Sequence, residues 1–179
     1  RNAGFENYRD YVFQEKNREY GVADCFDFHA SVERHAVPAW ERLAKILQDA
    51  LGVTDYRPWD MGPCALGDAP FSTGSELIAG VSHMFGRTDP RFLDRFHFME
   101  RNGLLDIESR LGKRPSAFCE ALSASRNAFL FSNFAPSFTA ILALIHEMGH
   151  AMHFYQQFSR EDGLGAGALR EEVVELYSH

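Results

Sequence analysis

The sequence predicts a mainly α fold with a small β-sheet, on three observations. Apolar residues recur at helical spacing through most of the chain. Glycine and proline cut that pattern into separate helices. Only two short segments, "LLDIESR" and "AFLFSNF", read better as strands. With 179 residues, 45% of them hydrophobic and 24% charged, the chain suits one domain with a real core.

Taken in order, the first helix runs from Asp24 to Leu51, with a break or kink expected at Pro38 and a stop at Gly52. Asp24 is read as its cap, and Trp40, Leu43, Ile46, Leu47 and Leu51 keep the helical spacing. "RPWDMGPCALGDAPFSTG" follows as a turn-rich connector. Helices are expected over about Ser75–Phe85 and Pro90–Met99, then the two strands with a turn over Gly112–Pro115 between them. A long helix spans about Ser137–Phe158, "SREDGLGAGAL" is a glycine-rich loop, and Leu169–Ser178 is a final helix.

The net charge of −7 argues against a nucleic-acid partner, because phosphate binding wants a basic face. No apolar run is long enough to span a bilayer, so no membrane partner is expected. Cys25, Cys64 and Cys119 are odd in number and have no C-x-x-C spacing. That favours a reducing compartment, the cytoplasm, and argues against a cysteine-built zinc site. The ragged start at Arg1-Asn2-Ala3 and the stop inside a helix read as a piece of a longer protein.

The chemistry concentrates in "LALIHEMGHAMHFY", residues 142–155. Titratable groups on so apolar a helix are costly unless something compensates them. His146 and His150 stand four residues apart and so share one face, about 5–6 Å apart at Cβ. Two imidazoles so placed reach one ion at about 2.0–2.1 Å, with Glu147 a quarter-turn round and within reach of an activated water. Gly149 between them leaves room for another backbone. A third donor is needed. A histidine-only extension would require Gly at 153 and His at 156, where the chain has His153 and Gln156. A later carboxylate is the other common solution. Glu161, Asp162, Glu171, Glu172 and Glu175 are all candidates, and spacing does not choose among them.

"HEMGHAMH" followed by "EVVELYS" resembles the zinc oligopeptidases of the thimet oligopeptidase and oligoendopeptidase F type, with their HExGHxxH helix and a later Glu followed three residues on by Ser. "LGVTDYRPWDM" and "GKRPSAFC" match further elements of that family in the right order, from about Tyr8 onward. The resemblance implies a zincin-like (gluzincin) core and one Zn²⁺ per chain held by His146, His150 and Glu175, with Glu147 as the catalytic carboxylate. It also implies a single oligopeptidase catalytic domain of which residues 1–179 are part. Ser116 stands where the family usually has Gly. His153 is read as a structural histidine or a support for a ligand, and Glu171 and Glu172 as possible hydrogen-bond partners of the ligand histidines.

The implied function is a zinc-dependent endopeptidase acting on short unstructured peptides, through a Zn-activated water and Glu147 as general base. The remainder of the same protein is expected to complete the active site. "AFLFSNF" is read as a core strand, or as an edge to which an extended peptide adds. Two alternatives remain: a non-peptidase zinc hydrolase, and a helical binding domain with a vestigial motif.

Overall fold

Two polar side-chain caps and one proline shape the amino-terminal helices. A computed structural model describes residues 4–60, 69–159 and 171–179. It divides into two compact units, residues 1–65 and 66–179. In the first, α1 (Tyr8–Glu15) is capped by the Asn7 side chain, which accepts from the Asp10 N–H at 3.0 Å. The sequence pattern misses this helix because "YRDYVFQE" has no apolar stripe, and none of its residues is buried.

α2 (Val22–Ser31) begins after Gly21, three residues ahead of the expected Asp24 cap. Asp24 works from inside the first turn instead: its carboxylate accepts the Gly21 N–H at 2.7 Å. The expected break at Pro38 is a π turn. Residues Val32–Ala36 are π-helical and lead directly into α3 (Val37–Leu51), with the Val37 N–H reaching back five residues to the Val32 carbonyl. The wider turn accommodates a proline that has no N–H to give. Gly52 ends α3 at φ +66°, as expected of a glycine stop.

The second unit holds the core. α4 (Gly74–Thr88) is capped by Thr73, and α5 (Pro90–Arg101) by Asp89 with Pro90 in the first turn. They bury Leu77, Val81 and Phe85 with Phe96 and Met99. Three strands follow, β1 (Leu105–Asp106), β2 (Phe118–Leu122) and β3 (Asn127–Phe131), in the spatial order β1-β3-β2. β1 runs parallel to β3, and β2 forms an antiparallel hairpin with it, Phe118 opposite Phe131 and Leu122 opposite Asn127. Of the two readings of "AFLFSNF", the core strand holds and the edge does not: β3 is the centre of the sheet, and β2, which the sequence pattern did not reveal, is an edge strand.

α6 (Phe138–Ser159) lies on the sheet, packing Leu144, Met148 and Ala151 into the same core as Ala128 and Leu130. Lys113 fastens the turn before β2. Its ammonium group donates to the carbonyls of Asp106 at 3.0 Å, Glu108 at 2.9 Å and Ser132, and to the Asp106 carboxylate at 3.0 Å. Its side chain is only 1% exposed and also lies 4.4 Å from the Phe131 ring centre. The last element, α7 (Glu171–Leu176), packs on α6.

Candidate metal centre

Helical spacing alone brings His146 and His150 together on α6. Their Nε2 atoms are 3.2 Å apart and the rings are nearly perpendicular. α7 supplies the third group. The Glu175 carboxylate lies 3.4 Å from His146 Nε2 through Oε2 and 3.8 Å from His150 Nε2 through Oε1. Donors bound at about 2.0–2.1 Å to a tetrahedral ion stand about 3.3 Å from one another. Two neutral nitrogens and a carboxylate at this spacing fit a divalent cation such as zinc in both geometry and donor chemistry.

Gly149 makes the approach of α7 possible. A Cβ on this residue would meet the Cα of Ser178 at 2.7 Å and the Tyr177 carbonyl oxygen at 3.0 Å. The close backbone contact expected between the two histidines is therefore filled by the end of α7. Beyond Leu176 the chain tightens, with Tyr177 N–H bonded to the Val174 carbonyl at 3.2 Å and Ser178 N–H to the Glu175 carbonyl at 3.0 Å. This turn carries Ser178 onto His150, its Oγ 2.7 Å from Nδ1 and 3.1 Å from Nε2. The shorter contact is the hydrogen bond, because it leaves the Nε2 lone pair free for the shared centre. The Ser178 hydroxyl also faces the Val174 carbonyl at 3.5 Å, so its oxygen can accept the imidazole Nδ1–H.

Glu147 is buried, with 7% of its surface exposed, one residue from the histidine pair. Burial, and then the negative charge of Glu175, push its carboxyl up to about 7. A cation held by Glu175 would offset the second cause and leave the first. Burial also holds His150 below the ordinary histidine value, which favours the neutral, ligand-ready ring. Cys119 on β2 is partly buried, and its thiol is pushed far up by desolvation and by the charge of Glu147. It is an inert neighbour at neutral pH.

His153 lies buried on α6 next to this centre. It is 2% exposed and stacks on Tyr177 at 4.2 Å between ring centres, with Nε2 2.9 Å from the Gln157 amide. Its Nδ1 is buried without a hydrogen-bond partner. Of the other carboxylate candidates, Glu161, Asp162 and the side chain of Glu171 lie outside the described residues, and Glu172 is exposed. Sequence reasoning missed His179, whose ring lies edge-on to His146 at 5.2 Å. Its position four residues after Glu175 was the available signal. A cleft of about 540 Å³ opens here, lined by Leu142, His146, Glu147, Ser178 and His179 among others.

The model of peptidase family M3 matches residues 1–179. Oligoendopeptidase F (plasmid) of Lactococcus lactis subsp. cremoris is 36% identical over 135 residues, 74% of this chain and 21% of the relative. An oligoendopeptidase F homolog of Lactococcus lactis subsp. lactis (strain IL1403) is 27% identical over the same length, again 74% of this chain and 21% of the relative. The chain therefore spans about a fifth of the length of the curated relatives it matches. The fold is shared with a solved structure of PZ peptidase A in complex with an inhibitor, at a TM-score of 0.87 and 23% identity, over 99% of this chain and 32% of that one. On the match along its whole length, the chain belongs to peptidase family M3.

Proposed function

We propose that this chain is the metal-binding core of a zinc-dependent oligopeptidase that hydrolyses peptide bonds in short unstructured peptides. One observation carries the reading: the Nε2 atoms of His146 and His150 and the Glu175 carboxylate converge within 3.2–3.8 Å beside the buried Glu147. In this reading His146, His150 and Glu175 hold one Zn²⁺ per chain, and Glu147 is the general base.

When bound, the ion supplies Lewis acidity to the scissile carbonyl and lowers the pKa of water. Glu147 takes a proton from the attacking water and delivers it to the departing amine as the C–N bond breaks. A carboxyl whose proton affinity is raised by burial suits both halves of that task. Ser178 fixes the ring of His150, so the two imidazoles keep their Nε2 atoms on one point. The outer edge of β2, the strand that carries Cys119 beside Glu147, offers backbone hydrogen bonds to an extended peptide.

The rest of the protein completes the site. Leu142 is 67% exposed on the wall of the cleft, four residues before His146, and the relatives are about five times longer than the segment matched here. The test is metal content and peptide cleavage by the full-length protein. Glu147→Gln is expected to abolish cleavage and keep about one zinc per chain, and Glu175→Ala to lose the metal. Full activity in Glu147→Gln would overturn the role of the base. Full zinc in Glu175→Ala would overturn the third ligand.

A further inference from the structure

Of the three proposed ligands, Glu175 is the one that its own helix does not fix. His146 and His150 sit within the 22 residues of α6, whereas α7 has six, and so short a helix is marginal in water without a tertiary hold. Nor does the glutamate hold itself. Its side chain is 55% exposed, and among the described residues the partners of its carboxylate are the two imidazoles. The end of α7 must therefore be held on α6 by its neighbours in the chain.

Gly149 permits that approach but supplies little attraction, because it has no side chain. The attraction comes one turn further along α6, from His153. Its ring is stacked on that of Tyr177, with 4.2 Å between centres and 12° between planes. His153 is 2% exposed and Tyr177 50%, so an outer ring is laid on an inner one. The inner ring is fixed in turn by the Gln157 amide, whose N–H donates to Nε2 at 2.9 Å. Glu175 precedes Tyr177 by two residues and Ser178 follows it by one. The hydrogen bonds from Tyr177 N–H to the Val174 carbonyl and from Ser178 N–H to the Glu175 carbonyl tie all three into a single turn.

We propose that His153 and Tyr177 form an aromatic clasp that sets Glu175 at the metal, both acting as positioning residues. The inference rests on the ligand reading above. It gives the third histidine of "HEMGHAMH" a role exerted on the carboxylate ligand through α7. Because ligand distances tolerate only about 0.2 Å, a loosened turn reads out as weaker metal binding.

The test measures zinc affinity by chelator competition on the full-length protein, beside thermal unfolding of the metal-free form. Tyr177→Ala removes the outer, half-exposed ring and is expected to weaken zinc binding at least tenfold, with the metal-free Tm nearly unchanged. Tyr177→Phe keeps the ring and is expected to bind zinc as the wild type does. His153→Leu fills the buried volume without offering a ring face, and is also expected to weaken binding at least tenfold. Since the two residues share one contact, the double variant His153→Leu/Tyr177→Ala should bind no more weakly than the weaker single variant. Wild-type affinity in Tyr177→Ala would overturn the proposal while leaving the three ligands in place. Equal losses in Tyr177→Phe and Tyr177→Ala would also overturn it, by moving the effect to the hydroxyl, as would additive losses in the double variant. A wild type without zinc, or full zinc in Glu175→Ala, would overturn the ligand reading itself, and this inference with it.

Discussion

Replacing Gly149 by alanine separates two effects that usually travel together. Within α6 the change is favourable, since alanine exceeds glycine in a helix interior by about 0.8–1 kcal/mol. Against α7 it is not. The new methyl would lie 2.7 Å from the Cα of Ser178, about 0.7 Å inside the 3.4 Å at which ordinary contact begins, and both partners are backbone-bound. The end of α7 must withdraw by roughly that distance, and Glu175, one turn earlier, withdraws with it. Ligand distances tolerate only about 0.2 Å. Overpacking of this kind costs about 1–3 kcal/mol, which corresponds to about a fivefold to 150-fold loss of zinc affinity. The assay is twofold: a zinc dissociation constant by chelator competition, and thermal unfolding with and without zinc. The expected result is equal or lower stability without metal, a much weaker affinity, and a smaller zinc-induced rise in Tm. Wild-type affinity in Gly149→Ala would refute the reasoning, because it would mean that the approach of α7 does not set the third ligand.

Other outcomes follow from single contacts. Ser178→Ala removes the hydroxyl that holds His150 Nδ1 and is expected to weaken zinc binding about 10–100-fold without loss of fold, by the same titration. Ser116 sits at φ +130°, a region that favours glycine. Ser116→Gly should relieve about 1 kcal/mol of net strain and raise Tm by about 2–4 °C. The hydrogen bond from Arg110, followed by that from Lys113, holds the Asp106 carboxyl at about 2, below its ordinary 3.8. A depressed carboxyl stabilises the fold above its unfolded-state value and loses that contribution as pH falls from about 4 to about 2. Urea midpoints over that range should fall more steeply in the wild type than in Asp106→Asn.

How much of this was legible in the sequence depends on how local each feature is. The histidine pair was legible because i,i+4 spacing fixes it within one turn. The stop at Gly52 and the turn at Gly112 were legible because glycine at positive φ is a local requirement. β2 was not, since "FCEAL" lacks a clean alternation and becomes a strand through pairing with β3. The choice between core and edge for "AFLFSNF" stayed open for the same reason: strand order is a property of the sheet, not of any one segment. Spacing left five carboxylates open as the third donor, and resemblance selected Glu175, which α7 brings to the histidines. The capping role of Asp24 was visible, but its position was three residues off, because glycine took the cap and aspartate the third place of the same box.

The π turn at Val32–Ala36 bears on how this segment tolerates insertion and deletion. A π turn accommodates one residue more than the α turn it replaces, so the phase of the helix slips there by about 100° of sequence while the axis runs on. Phe26 and Phe28 before it, and Trp40, Leu43 and Leu47 after it, therefore belong to separate registers, and no single 3.6-residue wheel drawn through 22–51 describes both. Removing one residue from the turn would restore a uniform wheel but return Pro38 to an α-helical setting, where its ring opposes the Arg34 carbonyl. The extra residue and the proline are thus paired in the sequence: losing either one alone leaves the other without a partner, and losing both yields an ordinary helix with its two faces still aimed as they are now.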